Sequence, residues 1–170
     1  MGSDDLNVEV KESATTLSRD VWETVSAFAN TAGGIIVLGV SERAGFVPVA
    51  NFETEKVLNQ FVAGMGDAGG RGKLANPPKY TIERVELQGT VVLVITIEEL
   101  DPSSKPCYVI ERGAQGGSYK RIDDKDVPLS STEVLALASY GRATPSDRDA
   151  VAGAGADDLD EALVDRTIDR

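Results

Sequence analysis

The feature that most constrains this chain is a continuous apolar run, "GIIVLGV", which extends from Gly34 to Val40. No charge interrupts it and most of its residues are β-branched, which is typical of a strand buried on both faces of a sheet. The segment before the run has apolar residues at helical spacing. They form one face of a predicted helix: Val21, Trp22, Val25, Phe28 and Ala29. We predict that this helix is capped by Ser18 and is followed directly by the buried strand.

Two glycines, Gly33 and Gly34, separate the predicted helix from the strand. In a dinucleotide-binding fingerprint the glycines follow a strand and open a helix, so that the helix N-terminus faces a phosphate. The order here is reversed, which predicts a helix stop in a conformation that glycine tolerates. A second stretch, "GDAGGRGKL", departs from P-loop spacing because Asp67 and Leu74 stand where Gly and Ser/Thr are required. The sequence predicts no phosphate-binding loop of either type.

The rest of the chain alternates between strand and helix patterns. A half-buried strand is predicted at "LNVEVK", a second helix at "NFETEKVLNQFVAGMG", and a hairpin at "YTIERVEL" and "TVVLVITI". Short strands are predicted at "CYVI" and "SYKRI", and Ser130 with Glu133 forms a capping box that opens a final helix. The order β-α-β-α-β-β-β-β-α predicts an α+β or α/β sheet covered by helices. Of the two classes we expect α+β, with a mixed β-sheet flanked by helices.

Composition limits the chemistry that the chain can perform. It has 170 residues, no histidine and one cysteine, Cys107. The absence of histidine removes histidine-based acid–base catalysis and most zinc sites. We expect Cys107 to be a packed, inert thiol because no basic partner lies near it in sequence. No signal peptide or membrane-spanning window is visible, and we expect a cytoplasmic protein without membrane association.

The net charge of −11 is unevenly distributed along the chain. From Ala143 to Arg170 there are eight acids and three arginines in a polar, Ala/Gly-rich context. That composition is typical of a linker or disordered tail. We predict a domain over residues 1–142 and an acidic linker or disordered tail over 143–170. Two interpretations of that segment stay open: a linker toward a further C-terminal region in a longer parent, or simply a terminus. Net acidity weakens a nucleic-acid interpretation without excluding a local basic patch.

Basic residues gather around the Gly/Pro-rich loop and around the later short strands, with tyrosines among them. Flexible basic loops with nearby aromatic rings can follow a phosphate backbone and stack bases. The alternative interpretation is a scatter of surface charges balanced by neighbouring acids. The predicted phosphate contacts are Lys11, Arg71, Lys73, Lys79, Lys120 and Arg121.

Acidic residues flank the first two predicted strands. Asp4 and Glu9 lie near the first strand, and Glu42 follows the second. If these strands are neighbours, the carboxylates of Glu9 and Glu42 could face a common site. Carboxylates held together bind Mg²⁺ or Mn²⁺ and support phosphodiester hydrolysis. The alternative interpretation is that these acids are solvated residues at strand edges.

Several segments in order resemble one family. "VEVKES", "VSAFANTAGGIIVLGVSE", "KPCYVIERG", "YKRI" and "PLSSTEV" resemble the signature of the Schlafen AlbA-like domain, from Leu6 to Tyr140. The resemblance implies an α+β domain related to nucleic acids, which in many members precedes an ATPase-like domain and a winged helix. Some relatives cleave tRNA or rRNA with three carboxylates, whose positions fall here on Asp4, Glu9 and Glu42. The first is Asp in place of Glu and the third is Glu in place of Asp.

Three functional hypotheses follow. The leading one is a nucleic-acid-binding module of a prokaryotic transcriptional regulator, for DNA or RNA, with no catalysis or cofactor of its own. The second is a metal-dependent endoribonuclease in which Asp4, Glu9 and Glu42 hold Mg²⁺ or Mn²⁺. The third is a protein–protein or homodimerisation module, which the net acidity favours.

Overall fold

The computed structural model of the chain describes residues 7–143, with side chains as far as residue 140. The described residues form two compact units, one made of residues 7–100 with 106–130, the other of 101–105 with 131–143. The helices are α1 (Val21–Asn30), α2 (Thr54–Gly64) and α3 (Ser131–Ala143). The strands are β1 (Val8–Lys11), β2 (Gly34–Leu38), β3 (Val40–Ser41), β4 (Val47–Pro48), β5 (Leu74–Ala75), β6 (Tyr80–Leu87), β7 (Thr90–Ile97), β8 (Tyr108–Val109), β9 (Tyr119–Ile122) and β10 (Lys125–Pro128). Short helical turns lie at Pro102–Ser104, Ile110–Arg112 and Ala114–Gly117.

The main sheet has four strands in the order β1-β2-β7-β6. β1 runs parallel to β2, with Glu9 opposite Ile36, whereas β2 and β6 are both antiparallel to β7. β6 and β7 form the predicted hairpin, and its turn at Gln88 and Gly89 has φ values of +52° and +82°. Two successive positive φ angles suit the right-handed twist of a two-residue hairpin. The mixed sheet with helices confirms the predicted α+β class.

The core of the first unit lies between the main sheet and the helices α1 and α2. The predicted strand is central in the sheet, but only one of its faces is fully buried. Ile36 and Leu38 are 0% exposed, whereas Ile35 and Val37 on the other face are half-buried. Phe28 of α1, Phe61 of α2, and Leu93 and Ile95 of β7 are also fully buried in the same cluster. Burying each such side chain contributes about 1.5–3 kcal/mol, so this cluster dominates the stability of the unit.

The glycine pair turns the chain between α1 and β2, as predicted. Gly33 has a φ of +73°, and its N–H donates to the carbonyl of Phe28 at 2.7 Å. A Cβ on Gly34 would lie 2.7 Å from the Phe28 ring, so the ring itself requires a glycine there. The predicted start of the helix was wrong: α1 begins at Val21 after Asp20. The hydroxyl of Ser18 donates instead to Asp20 Oδ1 at 2.6 Å.

A polar group at the end of α1 links this helix to β8 and β9. Asn30 Nδ2 donates to the carbonyls of Cys107 and Tyr119 at 3.0 and 2.9 Å, and its Oδ1 accepts from Cys107 N–H at 2.8 Å. Ser26 Oγ donates to Cys107 O at 2.7 Å and accepts from Tyr119 N–H at 3.0 Å. The "SAFAN" segment therefore has a structural role: its Ser26 and Asn30 side chains hydrogen-bond to the backbone at Cys107 and Tyr119 and so hold α1 against the starts of β8 and β9.

Four short strands were not predicted: β3, β4, β5 and β10. β5 lies in the Gly/Pro-rich segment that the sequence predicts as a loop, and it pairs with β8 over two residues. β3 and β4 pair with each other over two residues, a length at which no side-chain period is readable. β10 pairs with β9 in an antiparallel hairpin, although its sequence "KDVP" has neither alternation nor β-branched enrichment.

No helix within residues 7–143 has the length and apolar character to cross a membrane. Of the predicted acidic segment 143–170, all but Ala143 falls outside the described residues.

Candidate nucleic-acid interface

A cleft of about 460 Å³ opens beside the start of α1 and the end of α2. Four cationic side chains line it, and we call it the cationic cleft: Arg19, Arg71, Lys73 and Arg112. Two acids, Glu23 and Glu111, lie in the same lining. The cleft therefore carries a surplus of positive charge in a chain whose net charge is −11.

Backbone hydrogen bonds fix the loop that carries Arg71 and Lys73. The N–H of Lys73 donates to the carbonyl of Gly64 at 2.6 Å, and its carbonyl accepts from Ile110 N–H at 3.0 Å. Between the two cations, a Cβ on Gly72 would lie 2.7 Å from the Gly64 carbonyl oxygen. The glycine-rich sequence thus lets the loop approach the end of α2 closely, which brings both cations to the cleft.

The four cations differ in how they are held. Arg112 donates through Nη1 to Glu23 Oε2 at 2.9 Å and to the hydroxyl of Tyr119. The side chains of Arg19, Arg71 and Lys73 are exposed and form no ion pair with any residue in the described part of the chain. Three of the four cations therefore face solvent without a carboxylate partner there, which leaves them able to contact an anion.

The indole of Trp22 forms an apolar wall of the cationic cleft. Trp22 is only 9% exposed, and its ring stacks on Phe61 with centroids 5.4 Å apart. A Cβ on Gly64 would lie 2.1 Å from the indole, so this glycine provides the space into which the ring packs. The wall is consequently held in place from two sides and does not depend on a ligand for its orientation.

A second charged cluster, the Glu9–Arg121 network, lies inside the protein. The Arg121 side chain is 2% exposed, and its Nη2 and Nη1 donate to Glu9 Oε1 at 2.8 Å and Asp126 Oδ1 at 2.6 Å. Thr24 Oγ1 donates to Asp126 Oδ2 at 2.5 Å, and the guanidinium lies 5.1 Å from the Phe28 ring centroid. Desolvation opposes the charge of Arg121, but the hydrogen bonds to Glu9 and Asp126 outweigh it and raise its pKa.

Lys11 completes the Glu9–Arg121 network. Its side chain is 8% exposed, and Nζ lies 3.5 Å from Glu9 Oε2 and 3.1 Å from Asp20 Oδ1. Both carboxylate oxygens of Glu9 are thus engaged by cations of the protein. Lys11 and Arg121 were predicted as phosphate contacts, yet the structure holds both in internal ion pairs.

The other predicted phosphate contacts are distributed unevenly. Arg71 and Lys73 lie together in the cationic cleft. Lys79 lines a separate depression that also contains Asp67 and Tyr80, and the Tyr80 hydroxyl donates to Asp67 Oδ2 at 2.7 Å. Lys120 is half-buried on β9 and interacts within the protein.

Arg19 and Arg112 were missing from the predicted set. Arg112 follows β8 and lies among the basic residues around the later short strands, so the sequence could have indicated it as a phosphate contact. Arg19 gave none, because it is an isolated cation before a helix and is distant in sequence from the basic loop. Only the packing of α1 against α2 brings it near Arg71.

The three predicted metal ligands do not form a site within the described residues. Asp4 lies outside them, Glu42 is exposed just after β3, and Glu9 belongs to the Glu9–Arg121 network. Residues 7–143 contain no group of three or more potential ligands arranged for a metal ion. A divalent cation at Glu9 would stand beside Lys11 and Arg121, so these surroundings do not fit a metal. A three-carboxylate site stays a hypothesis that requires Glu9 to leave both ion pairs.

Cys107 is packed in the interior, as predicted. Burial raises the pKa of its thiol to about 12, so the thiolate is absent at neutral pH. A nucleophilic role would need that thiolate. The residue instead contributes its backbone to the hydrogen bonds with Asn30 and Ser26.

Comparisons with known proteins agree with this fold. The N-terminal domain of a Nitrosomonas europaea protein, named as related to the ATP-dependent DNA helicase RecG, is 27% identical with a TM-score of 0.52. That likeness covers 73% of this chain and 83% of that domain. The DIP2311 protein of Corynebacterium diphtheriae is 16% identical with a TM-score of 0.51, over 83% of this chain and 28% of that one, and shows the fold alone.

Comparison with curated proteins gives no match. The sequence profile described as Schlafen, AlbA_2 matches residues 4–130, which is most of the chain. The match includes the segments whose structural roles are described above, from β1 through the α1 end and its glycine turn to the β9–β10 hairpin. The chain therefore belongs to the Schlafen AlbA_2 family.

Proposed function

We propose that this chain is a nucleic-acid-binding module of a prokaryotic regulator, without catalysis of its own, and that the cationic cleft contacts the phosphates. The observation that carries the proposal is the convergence of four cations from three separate segments on one cleft: Arg19, Arg71, Lys73 and Arg112. Phosphate contacts by Lys and Arg supply most of the affinity of such proteins. The RecG-related name of the Nitrosomonas europaea relative supports an association with nucleic acid.

The net charge of −11 does not oppose a local site of this kind. At an ionic strength of 0.1 M the Debye length is about 10 Å, so acids farther than that from a bound phosphate are largely screened. Within the lining, four cations face two acids, and one of the acids, Glu23, is already paired with Arg112. The local balance thus favours a phosphate, whereas the rest of the surface disfavours non-specific binding.

The proposal changes the set of contacts predicted from the sequence. Arg71 and Lys73 stay in it, and Arg19 and Arg112 join it. We assign Lys11 and Arg121 to the interior network, because moving either to a phosphate would leave the Glu9 carboxylate without that partner. Removing one partner from a buried ion pair costs about 3–5 kcal/mol of stability. An ion pair at the surface contributes about 1 kcal/mol at most, so a phosphate contact there would not offset that cost.

The proposal is tested by fluorescence anisotropy of labelled DNA and RNA, single-stranded and duplex, across a salt series. The double variant R71A/K73A should weaken binding about tenfold at 0.1 M salt and reduce the slope of log K against log salt by roughly 1.4–1.8. The matched control is R43A/K125A, which removes two exposed cations that do not line the cleft. Its slope should equal that of the unmodified chain.

Two outcomes would count against the proposal. Equal losses in R71A/K73A and R43A/K125A would mean that binding follows overall charge and not the cationic cleft. Absence of binding to every nucleic acid at low salt would remove the function itself and favour the protein–protein alternative. That alternative predicts association with a partner or with a second copy, and no response to nucleic acid.

A further inference from the structure

The cationic cleft contains more than charge. Its buried lining is apolar, because Leu17, Trp22 and Val109 are each less than one tenth exposed. Its cations are on exposed residues. A site that only follows the phosphates of a duplex has no use for an aromatic wall, since the flat faces of duplex bases are covered by their neighbours in the stack. A cleft with an apolar interior and a cationic exterior matches a ligand with one flat apolar part and one anionic part.

The size of the cleft narrows the choice of ligand. At about 460 Å³ it falls within the range of small-molecule pockets, roughly 300–1,000 Å³. A double helix, whose major groove alone is about 12 Å wide, cannot enter a cavity of that size. One nucleotide unit with an unstacked base can enter it.

Hydrogen-bonding groups in the lining are mainly donors. Gln60 accepts the Leu17 N–H on its Oε1 at 2.7 Å, so its remaining amide group is the Nε2 donor. Arg71 and Lys73 have donors only. The lining has two acidic acceptors: Glu23, which is engaged by Arg112, and Glu111, which is an exposed residue. Such a lining favours a ligand rich in acceptors, as phosphate oxygens and the ring nitrogens and carbonyls of bases are.

We propose that the cationic cleft takes one nucleotide of a single-stranded nucleic acid. The base lies against Trp22, Leu17 and Val109, and the phosphate lies among Arg71, Lys73 and the other cations of the cleft. This inference rests on the proposed function and specifies the form of nucleic acid that the module binds. A base that is free to leave its neighbours can reach the indole, whereas a paired base must first be unstacked and unpaired.

Trp22 provides a direct readout because it is the single tryptophan of the chain. We would titrate the full chain with a short single-stranded oligonucleotide and follow the intrinsic fluorescence of Trp22, with the anisotropy of a labelled copy measured in parallel. The single strand should change the Trp22 emission saturably, with the same midpoint as the anisotropy. A duplex of the same sequence should bind at least tenfold more weakly.

Two small probes separate the parts of the site. Adenosine monophosphate should compete for the cleft and change the Trp22 emission, at concentrations well above those of the oligonucleotide. Inorganic phosphate should compete more weakly still and leave the emission unchanged. In R71A/K73A the affinity for the single strand should fall about tenfold, whereas R43A/K125A should bind like the unmodified chain.

The outcomes distinguish this inference from the function on which it rests. Duplex binding as tight as single-strand binding, or single-strand binding without a change in Trp22 emission, would overturn the inference and leave nucleic-acid binding intact. Adenosine monophosphate that binds as tightly as the oligonucleotide would indicate a site for a free nucleotide and would overturn the strand assignment. If inorganic phosphate competed as strongly as adenosine monophosphate, the cleft would be a site for anions alone and the base would make no contact there, which would overturn the inference. Absence of binding to any nucleic acid would remove both proposals together.

Discussion

Arg121 shows, at the scale of single residues, how a cation stays charged inside this protein. Its side chain is 2% exposed and is paired with Glu9 and Asp126, with a ring of Phe28 against the guanidinium. Taking a guanidinium out of water costs several kcal/mol, and only well-placed carboxylates repay that cost. Its Nε is a buried side-chain nitrogen with no hydrogen-bond partner among the described residues. The network is therefore sensitive to the loss of any one carboxylate.

Glu9→Gln should destabilise the fold, because the substitution removes the charge that faces Arg121 and Lys11. We expect a loss on the order of 2 kcal/mol in the free energy of unfolding, measured by urea denaturation followed by circular dichroism. Glu42→Gln is the matched control, since Glu42 is exposed, and it should change stability by less than about 0.5 kcal/mol. Equal stability of the two variants would contradict the structural role of Glu9.

Glu42→Gln also tests the nuclease hypothesis, because this variant should keep its fold and any loss of cleavage would then not come from unfolding. A three-carboxylate nuclease would lose metal-dependent cleavage in Glu42→Gln while the variant keeps its fold. We expect no metal-dependent cleavage in the unmodified chain. Cleavage of RNA that requires Mg²⁺ or Mn²⁺ and disappears in Glu42→Gln would overturn that expectation.

The ion pair between Asp20 and Lys11 should make the free energy of unfolding depend on pH. Partial burial alone would raise the pKa of Asp20, but the hydrogen bond from Ser18 and the charge of Lys11 lower it below its ordinary value of 3.8. A lowered pKa in the folded state stabilises the fold at pH values above that of the unfolded carboxyl, and this stabilisation is lost as the pH falls through the folded pKa. The stability difference between the unmodified chain and Asp20→Asn should thus be constant near neutral pH and vanish in acid. A difference that persists unchanged in strong acid would contradict the ion pair.

At the scale of elements, α1 is buried on two sides, although its sequence shows one apolar face. Val25 and Phe28 belong to the core with the main sheet, whereas Thr24, Ser26 and Asn30 bond to the segments that include β8, β9 and β10. Small polar side chains on this second side allow hydrogen bonds where an apolar contact would leave strand ends unsatisfied. The helix is thus the element that joins the sheet to the β9–β10 hairpin.

Asn30→Ala should loosen that junction. The substitution leaves Cys107 N–H and the carbonyl of Tyr119 without their side-chain partner, at a cost of about 3 kcal/mol in the free energy of unfolding. Amide hydrogen exchange should increase most in β8 and β9. Asn59→Ala, at an exposed position of α2, is the control and should leave both measurements unchanged within about 0.5 kcal/mol. Uniform exchange along the chain in Asn30→Ala would contradict a local junction.

Gly64→Ala should disturb the contact between α2 and the indole of α1. The new Cβ would lie 2.1 Å from the Trp22 ring, so the indole must move or the helices must separate. Overpacking of this kind costs about 1–3 kcal/mol, and the emission of Trp22 should shift because its surroundings change. Gly70→Ala is the control, since a Cβ there meets nothing within 4 Å. An unchanged emission in Gly64→Ala would mean that Trp22 is not packed as described.

At the scale of the whole molecule, the charge is the dominant property. A net charge of −11 repels a polyanion at a distance, while the cationic cleft attracts it on contact. Such a protein should bind nucleic acid at the cationic cleft in preference to the acidic parts of its surface. Salt acts on both effects, but the long-range repulsion is screened first because it acts beyond the Debye length.

Neutralising the acids beyond Ala143 tests this balance in the full chain. Eight residues are changed to Asn or Gln: Asp147, Asp149, Asp157, Asp158, Asp160, Glu161, Asp165 and Asp169. We expect several-fold tighter binding of nucleic acid at low salt, with the difference shrinking above about 0.1 M because screening removes the repulsion. The measurement is the anisotropy salt series used for the cationic cleft. An equal gain at all salt concentrations would indicate a direct contact of this segment with the binding surface.

Much of the fold could be predicted from local sequence patterns. The run from Gly34 to Val40 predicted the central strand, and the glycine pair before it predicted the turn that the Phe28 ring enforces. The hairpin of β6 and β7 followed from alternation and its Gln88–Gly89 turn. These features depend on residues that are close in sequence, because the spacing of apolar side chains and the positive φ angles that glycine allows are properties of a few consecutive positions. The start of α1 was wrong because the Ser18 hydroxyl bonds to the Asp20 side chain and does not cap the helix. The strands β3, β4, β5 and β10 were not predicted because pairing over so few residues depends on the partner strand and leaves no readable side-chain period.

The sequence by itself therefore determined the long helices and strands, the α+β class and the family to which the chain belongs. Only the tertiary structure decided which charges are available to a ligand. Arg71 and Arg121 are the same residue type and both lie in basic stretches, yet one is exposed in the cationic cleft and the other is enclosed by Glu9 and Asp126. The physical reason is that the burial and pairing of a charge depend on segments far apart in the chain. Those segments meet only when β1, α1 and β9 pack together.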